Sequence, residues 1–368
     1  MKLKKTAFIF TAVFAFAASA LAQTPQTTPP VVEDDGEIIK IDSRLVVVPV
    51  SVLDANGQPV VGLKEKDFRI AEDTKTQEIS QVSDAEKVPL EIALLFDISA
   101  STDSMFKFEQ ETAAQFLKDV MRPEDRATII TVGAEEKIIQ ARGSAEQSAI
   151  AIKSIQPTKE QTAFYDSVGI AADYLQKNAP SGRRKVIVVI SDGEDTNSAG
   201  ILKAIWNAER KIVDGTLSNE QLRSLRVRSR DQAKTNEQAK VLRSLQNADT
   251  VFYSVNPAGS SYQLNKMSVF GQQNMQKFAD QTGGTAFLPK FQPIDLKDKM
   301  QNSSNTRRNQ ETLTKIFRQL ANELQAQYLV QYYSAADFPA NKYVKLDVGL
   351  TNPQQFRVRA RQGYFVKK

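Results

Sequence analysis

Cysteine and histidine are both missing from the 368 residues. Their absence removes thiol and imidazole nucleophiles, any Ser-His-Asp triad, and zinc sites built on Cys or His. No disulfide can form, and a lipoprotein anchor on an N-terminal cysteine is excluded. The chemistry left is that of carboxylate, hydroxyl, carbonyl, amine and phenol groups, so a bound metal ion should be a hard one. Long apolar runs are scarce too. The run at 7–18 is shorter than the roughly 20 residues that span a bilayer, and no later segment is longer and as apolar.

That run follows Lys2, Lys4 and Lys5 and precedes Ala20-Leu21-Ala22, the order of charge, apolar stretch and small residues in a secretory signal peptide. Residues 1–22 are therefore expected to be cleaved, giving a periplasmic or secreted mature chain that starts near Gln23 and has no transmembrane segment. The formal charge of +5 includes the three leader lysines. Without them 45 basic face 43 acidic residues, a net of +2, too little to argue for nucleic-acid binding.

Composition is that of a globular protein, long enough for one large or two ordinary domains. Residues 23–43, rich in Pro, Thr and Gln with a short acidic run, read as a solvated linker. From Arg44 the pattern is of strands, with Asp54-Ala55-Asn56-Gly57 as a hairpin turn signal and a short segment at 68–70. Between about 90 and 288 buried-strand candidates (92–96, 127–132, 186–190, 251–255) alternate with helical stretches (145–155, 166–178, 275–281). Met105, Phe108, Thr112, Phe116 and Val120 recur at helical spacing, and Pro123 follows them. Such alternation predicts a doubly wound, mostly parallel sheet covered by helices on both faces.

The crossover after Ser191 is longer than one helix requires. Residues 200–248 carry ten Lys or Arg against five Asp or Glu, and read as an inserted helix pair with a basic face. Solvated decoration is the plain reading, and contact with an anionic surface the sharper one. The polar stretch 301–310 reads as a mobile loop. Leu313, Phe317, Leu320 and Leu324 then share a helix face, and the tail returns to alternating strands around 344–350 and 356–360. β segments on both sides of the α/β region predict a β-sandwich made from the two flanks, 44–88 and 327–368, with the α/β domain, 89–326, inserted between them.

The first α/β strand ends in Phe96-Asp97-Ile98-Ser99-Ala100-Ser101, at the carboxyl end where open α/β sheets place their ligand sites. Thr162, just before a helix, and Asp192, just after a strand, occupy comparable topological positions. Each alone reads equally well as a helix cap or turn residue. Together, Asp97, Ser99, Ser101, Thr162 and Asp192 form a set of hard oxygen donors suited to Mg²⁺ or Mn²⁺. Glu194 and Asp195 read as solvated loop acids beside that set, and Tyr165 as packing.

Asp97-x-Ser99-x-Ser101, a distant Thr162 and a later Asp192 resemble the metal-ion-dependent adhesion site of the von Willebrand factor type A family, over roughly 89–288. The flanks, 50–70 and the Arg-rich 356–365, look like those of its secreted acidobacterial branch. Ala100 and Gln161 stand where that motif often has Gly, and neither position supplies a side-chain ligand. The resemblance implies a Rossmann-like sheet, a divalent cation held by these five residues, and one coordination position left for an acidic residue of a protein partner. It implies an adhesion module rather than an enzyme. A structural envelope module with an incidental metal site and a Mg²⁺-dependent hydrolase stay as alternatives. An aspartyl-nucleophile phosphatase, however, would want a carboxylate where Ser99 stands, and no P-loop or dinucleotide fingerprint is present.

Overall fold

The computed structural model describes residues 44–84, 87–99, 103–158, 160–210, 218–257, 266–293, 298–353 and 355–367. The expected leader and linker, and Ser101, lie outside them. The flanking strands are β1 (Arg44–Leu53), β2 (Phe68–Glu72), β3 (Lys75–Thr76) and β4 (Ile79–Asp84). They are followed by β5 (Leu90–Asp97), α1 (Asp103–Val120), β6 (Arg126–Val132), β7 (Lys137–Gly143), α2 (Ala145–Ser154), α3 (Phe164–Asn178) and β8 (Arg184–Ile190). Next come α4 (Ala199–Arg210), α5 (Asn219–Asn247), β9 (Thr250–Val255), α6 (Lys266–Thr282), β10 (Ala286–Phe287) and α7 (Lys299–Gln325). The chain then returns to β structure with β11 (Gln327–Ser334), β12 (Tyr343–Leu350), β13 (Arg357–Ala360) and β14 (Gly363–Phe365).

The α/β sheet runs β10-β9-β8-β5-β6-β7, with every pairing parallel except the antiparallel edge strand β7. β5 is buried along its whole length because both faces of the sheet are covered. Its alternation sorts side chains between two cores. Ile92, Leu94 and Phe96 pack with Phe106, Phe116 and Leu117 of α1 and with Leu313, Phe317 and Leu320 of α7. Ala93 and Leu95 face Phe164 and Val168 of α3, Leu245 of α5 and Phe278 of α6. Each fully buried aliphatic side chain of this kind contributes roughly 1.5–3 kcal/mol, so the central strand is fixed from both sides and its carboxyl end is a rigid platform.

Neither flank builds its sheets alone. β1 pairs antiparallel with β11 from Arg44↔Ser334 to Ser51↔Gln327, and β2 pairs with β12 from Phe68↔Leu350 to Glu72↔Leu346. The two resulting four-stranded sheets, β13-β1-β11-β4 and β14-β12-β2-β3, enclose Val46, Val48, Val50, Ile70, Val330, Val344 and Leu346. Within that core Glu72 is buried and accepts hydrogen bonds from Tyr332 Oη (2.8 Å), Ser334 Oγ (2.7 Å) and Tyr364 Oη. One carboxylate of the N-terminal flank is thus satisfied by three hydroxyls of the C-terminal flank, which ties the two ends together.

The basic insert is a helix pair, α4 and α5. The N-terminal half of α5 is largely exposed, whereas Ala233, Val241 and Leu245 further along are buried against the α/β core. The stretch 301–310 is not a loop: it lies inside α7, whose first turn is capped by Asp298 accepting from Met300 N and Gln301 N. Two of its asparagines are buried against the preceding segment. Asn305 Nδ2 donates to the Pro293 carbonyl, and Asn309 exchanges bonds with the backbone of Gln292. No described helix is long and apolar enough to cross a membrane.

Candidate metal centre

Phe96 and Ile190 are in register on adjacent parallel strands, so the residues that follow, Asp97 and Ser191, emerge side by side at the carboxyl edge of the sheet. Asp97 Oδ2 accepts a bond from Ser191 Oγ (2.6 Å), and Oδ1 accepts from Ser99 N (2.9 Å) and Ser99 Oγ (2.6 Å). Both serines give their protons to this carboxylate, which leaves their oxygen lone pairs for other partners. Ser191 Oγ uses one of its own to accept from Gly193 N (3.0 Å). Asp192 Oδ1 accepts from Glu194 N (2.9 Å), which tightens the turn after β8.

That turn is shaped by glycine. Gly193 has φ +74, and a Cβ there would lie 2.8 Å from the carbonyl oxygen of Gly271 on α6. A Cβ on Gly271 would in turn meet the backbone of Gly193 at 2.6 Å and the carbonyl of Asp192 at 2.9 Å. Helix α6 therefore presses backbone to backbone on the Asp192 turn, and Ser268 Oγ of the same helix bonds Glu194.

Thr162 is nearly buried, and its segment is clamped to the loop after Asp192. Thr162 N donates to Thr196 Oγ1 (3.0 Å), and its carbonyl accepts from the N–H groups of Thr196 (2.9 Å) and Asn197 (3.0 Å). Its hydroxyl takes no part in these bonds. Asp195 does not behave as the solvated acid expected from sequence. It is buried, accepts from Tyr165 N (2.9 Å) and Ser198 (N at 3.0 Å and Oγ), and so caps the first turn of α3. Asp166 returns the favour, accepting from Ala199 N (2.7 Å) at the start of α4. Tyr165 is packed as expected, with Asn274 Nδ2 donating to its hydroxyl.

Charge at this edge is mostly negative, with the Lys234 ammonium of α5 acting on Glu194 and Asp195. Burial pushes the Asp97 carboxyl up, the bonds from Ser191 and Ser99 oppose that, and Glu194 adds to it. Asp192 is pushed up to about 6, by burial first, against the Glu194 backbone bond and with help from Asp97 and Glu194. Glu109, buried on α1, is pushed up to about 8 by burial and then by Asp97. None of these acids takes part in an ion pair among the described residues. Buried like charges without a counter-charge are costly, and a divalent cation is the compensation this donor set suits. The described residues contain no cluster of three or more carboxylates able to cage a metal alone. Two carboxylates with hydroxyls form a weaker, more open donor set, which fits a hard cation that keeps part of its shell for other oxygens.

Sequence reasoning had placed Asp97, Ser99, Thr162 and Asp192 at the strand ends and helix start where the structure has them. It missed Ser191, which the parallel register sets beside Asp97, and Gly271, whose contact is purely tertiary.

Residues 92–194, from Ile92 within β5 to just past Asp192, match the family profile of the von Willebrand factor type A domain. Among solved structures the chain is similar to proximal thread matrix protein 1 from the mussel byssus with a zinc-occupied MIDAS motif, at 12% identity and a TM-score of 0.39, over 67% of this chain and 48% of that one. The chain thus spans about half the length of the mussel protein. It is also similar to an aerotolerance-related membrane protein from Bacteroides fragilis (15% identity, TM-score 0.34, covering 63% and 98% of the two chains). A further likeness is to the conserved hypothetical protein BatB from Bacteroides thetaiotaomicron (13%, 0.32, 61% and 99%). No curated protein matches the chain.

Proposed function

We propose that the von Willebrand factor type A domain carried by this chain is a metal-dependent protein-binding module, with Asp97, Ser99, Ser101, Thr162 and Asp192 holding one Mg²⁺ or Mn²⁺. The observation that carries this reading is the Asp97 carboxylate, nearly buried at the sheet edge and surrounded by hydroxyls and other acids rather than by cations. A divalent cation bound there supplies a Lewis-acidic position that an acidic side chain of a protein partner can complete. Asp97 and Asp192 provide the two negative charges. Ser99 offers a hydroxyl oxygen whose proton is already committed to Asp97. Ser191 holds the Asp97 carboxylate in orientation, and the clamp between Thr162 and the Thr196-Asn197 backbone fixes the third segment of the site. No nucleophile, acid or base is assigned a catalytic role. With the leader removed, the protein acts outside the cytoplasm.

The test is capture of a partner from the native cell envelope by the immobilised mature protein. Binding should be abolished by chelator, restored by Mg²⁺ or Mn²⁺, and absent with Asp97→Ala at every metal concentration. Capture that ignores both chelator and the substitution would contradict the proposal.

A further inference from the structure

At the opposite edge of the parallel sheet, where β8 and β9 begin, a cavity of about 440 Å³ opens against the β-sandwich. The seven residues of β8 separate it from the Asp192 turn by roughly 20 Å. Its size lies within the range of small-molecule sites. The lining charge is lopsided: Arg44 of β1, Lys185 of β8, and Arg361 and Lys367 near the C-terminus face a single carboxylate, that of Asp249.

Asp249 is already occupied. It takes bonds from Arg361 Nη1 (3.0 Å) and Lys367 Nζ (2.6 Å), and although burial works against its charge, these two cations hold its carboxyl below the usual range. The guanidiniums of Arg44 and Arg361 both lie over the ring of Tyr364, at 5.8 and 5.4 Å from its centroid. In each of these arginines the buried Nε has no hydrogen-bond partner. Burial and the nearby Lys367 and Arg361 pull the Lys185 ammonium below its usual range despite Asp249. Two further lining arginines are spoken for: Arg183 pairs with Glu91 (3.4 Å), and Arg184 donates to Gln327 Oε1 (2.8 Å) and to backbone carbonyls. Apart from Gln331, the rest of the wall, including Val186, Val251, Leu329 and Phe365, is mostly apolar.

We propose that this cavity is a binding site for a small amphiphilic anion, whose carboxylate or phosphate is held by Arg44 and Lys185, with Arg361 and Lys367 adding positive charge beside it, and whose short apolar part lies along the Val251, Leu329 and Phe365 wall. Cations gathered around one cavity repel each other in the free protein. An anionic headgroup relieves that repulsion. The apolar wall selects a ligand with a hydrocarbon portion over a bare ion. Because strands from both flanks and from the α/β sheet line the cavity, occupancy also braces the sandwich against the α/β domain.

The experiment is calorimetry and thermal melting of the mature protein with octyl phosphate and octanoate below their micellar concentrations, beside inorganic phosphate and octanol. One or both amphiphiles should bind and raise Tm, with phosphate at least tenfold weaker and octanol inactive, and the preferred headgroup distinguishes a phosphorylated lipid from a fatty acid. Lys185→Gln and Arg44→Gln should each weaken binding at least tenfold, and Lys185→Gln should leave the ligand-free Tm unchanged or higher, since Lys185 has no ion-pair partner to lose among the described residues. Equal affinity for phosphate and octyl phosphate would contradict the apolar half of the site. No binding by either amphiphile, or binding that both substitutions leave intact, would overturn it.

Discussion

At the scale of single residues, Glu109 is the clearest consequence of the acidic edge. It is buried without an ion-pair partner among the described residues, and burial first, then Asp97, push its carboxyl up to about 8 from the ordinary 4.5. A carboxyl raised on folding binds more protons in the native than in the unfolded state between those two values, so stability falls as pH rises through that window and the penalty is complete above about 8. At about 1.4 kcal/mol per pK unit the penalty is on the order of a few kcal/mol. Glu109→Gln should therefore change little at pH 4 and stabilise the metal-free protein at pH 9, as read by urea melts at the two values. Equal effects at both would contradict the assignment. The strand-end positions of Asp97, Ser99 and Asp192 were legible in the sequence because apolar runs precede them, although each alone reads equally as a cap or turn residue and only the ordered set points to a site. Glu109 was not, since a helix with one acid among apolar positions looks like any amphipathic helix. Asp195 was misread because local polarity does not reveal a helix start that folds back onto it.

At the scale of elements, the seam between α6 and the Asp192 turn decides how well the site is formed. Gly271→Ala would place a methyl 2.6 Å from the Gly193 backbone, so either α6 or the turn must move. Overpacking of this kind costs about 1–3 kcal/mol. The expected outcome is a lower Tm together with weaker Mg²⁺ binding. Gly349→Ala is the control: the nearest atoms to a Cβ there belong to the flexible Arg69 side chain, across the β2–β12 pairing of the sandwich, and Mg²⁺ binding should be untouched. Equal metal affinity in both variants would show that the seam does not shape the turn. Buried strands and the α1 repeat were readable from their periods, since β5 and α1 are fixed by apolar burial. The antiparallel strand β7 was not, because Ile138 and Ile139 lie exposed on an edge and leave no apolar alternation. Nor was the helical state of 301–310, whose asparagines earn their place by bonding the 292–293 backbone, a contact no local pattern encodes.

At the scale of the whole molecule, the α/β domain sits inside a sandwich closed by strands from both ends of the chain. The alternating tail pointed to that architecture, but not to the place of Arg361. Arg357 is exposed and Arg359 partly so, as their period predicts, but Arg361 turns into the seam: it is only 11% exposed, bonds the Val47 carbonyl (2.9 Å) and pairs with Asp249, while Arg359 reaches the Gly284 carbonyl (2.9 Å). The two edges of the central sheet consequently carry opposite charge, acidic at the Asp97 end and basic at the sandwich end. A cation at the first edge and an anion at the second are the ligands proposed for them, each opposite in sign to the edge that would hold it.

The account rests on the acidic edge being a cation site, and calorimetric titration of the metal-free mature protein with Mg²⁺ addresses that directly. Wild type should bind one ion and release protons as it does so, because Asp97 and Asp192 must ionise to hold it. Asp97→Ala should lose that binding while keeping its far-ultraviolet circular dichroism and cooperative melt, and Asp192→Asn should weaken it at least tenfold. Mg²⁺ binding that is unchanged in folded Asp97→Ala, or no binding by the wild type, would contradict the account.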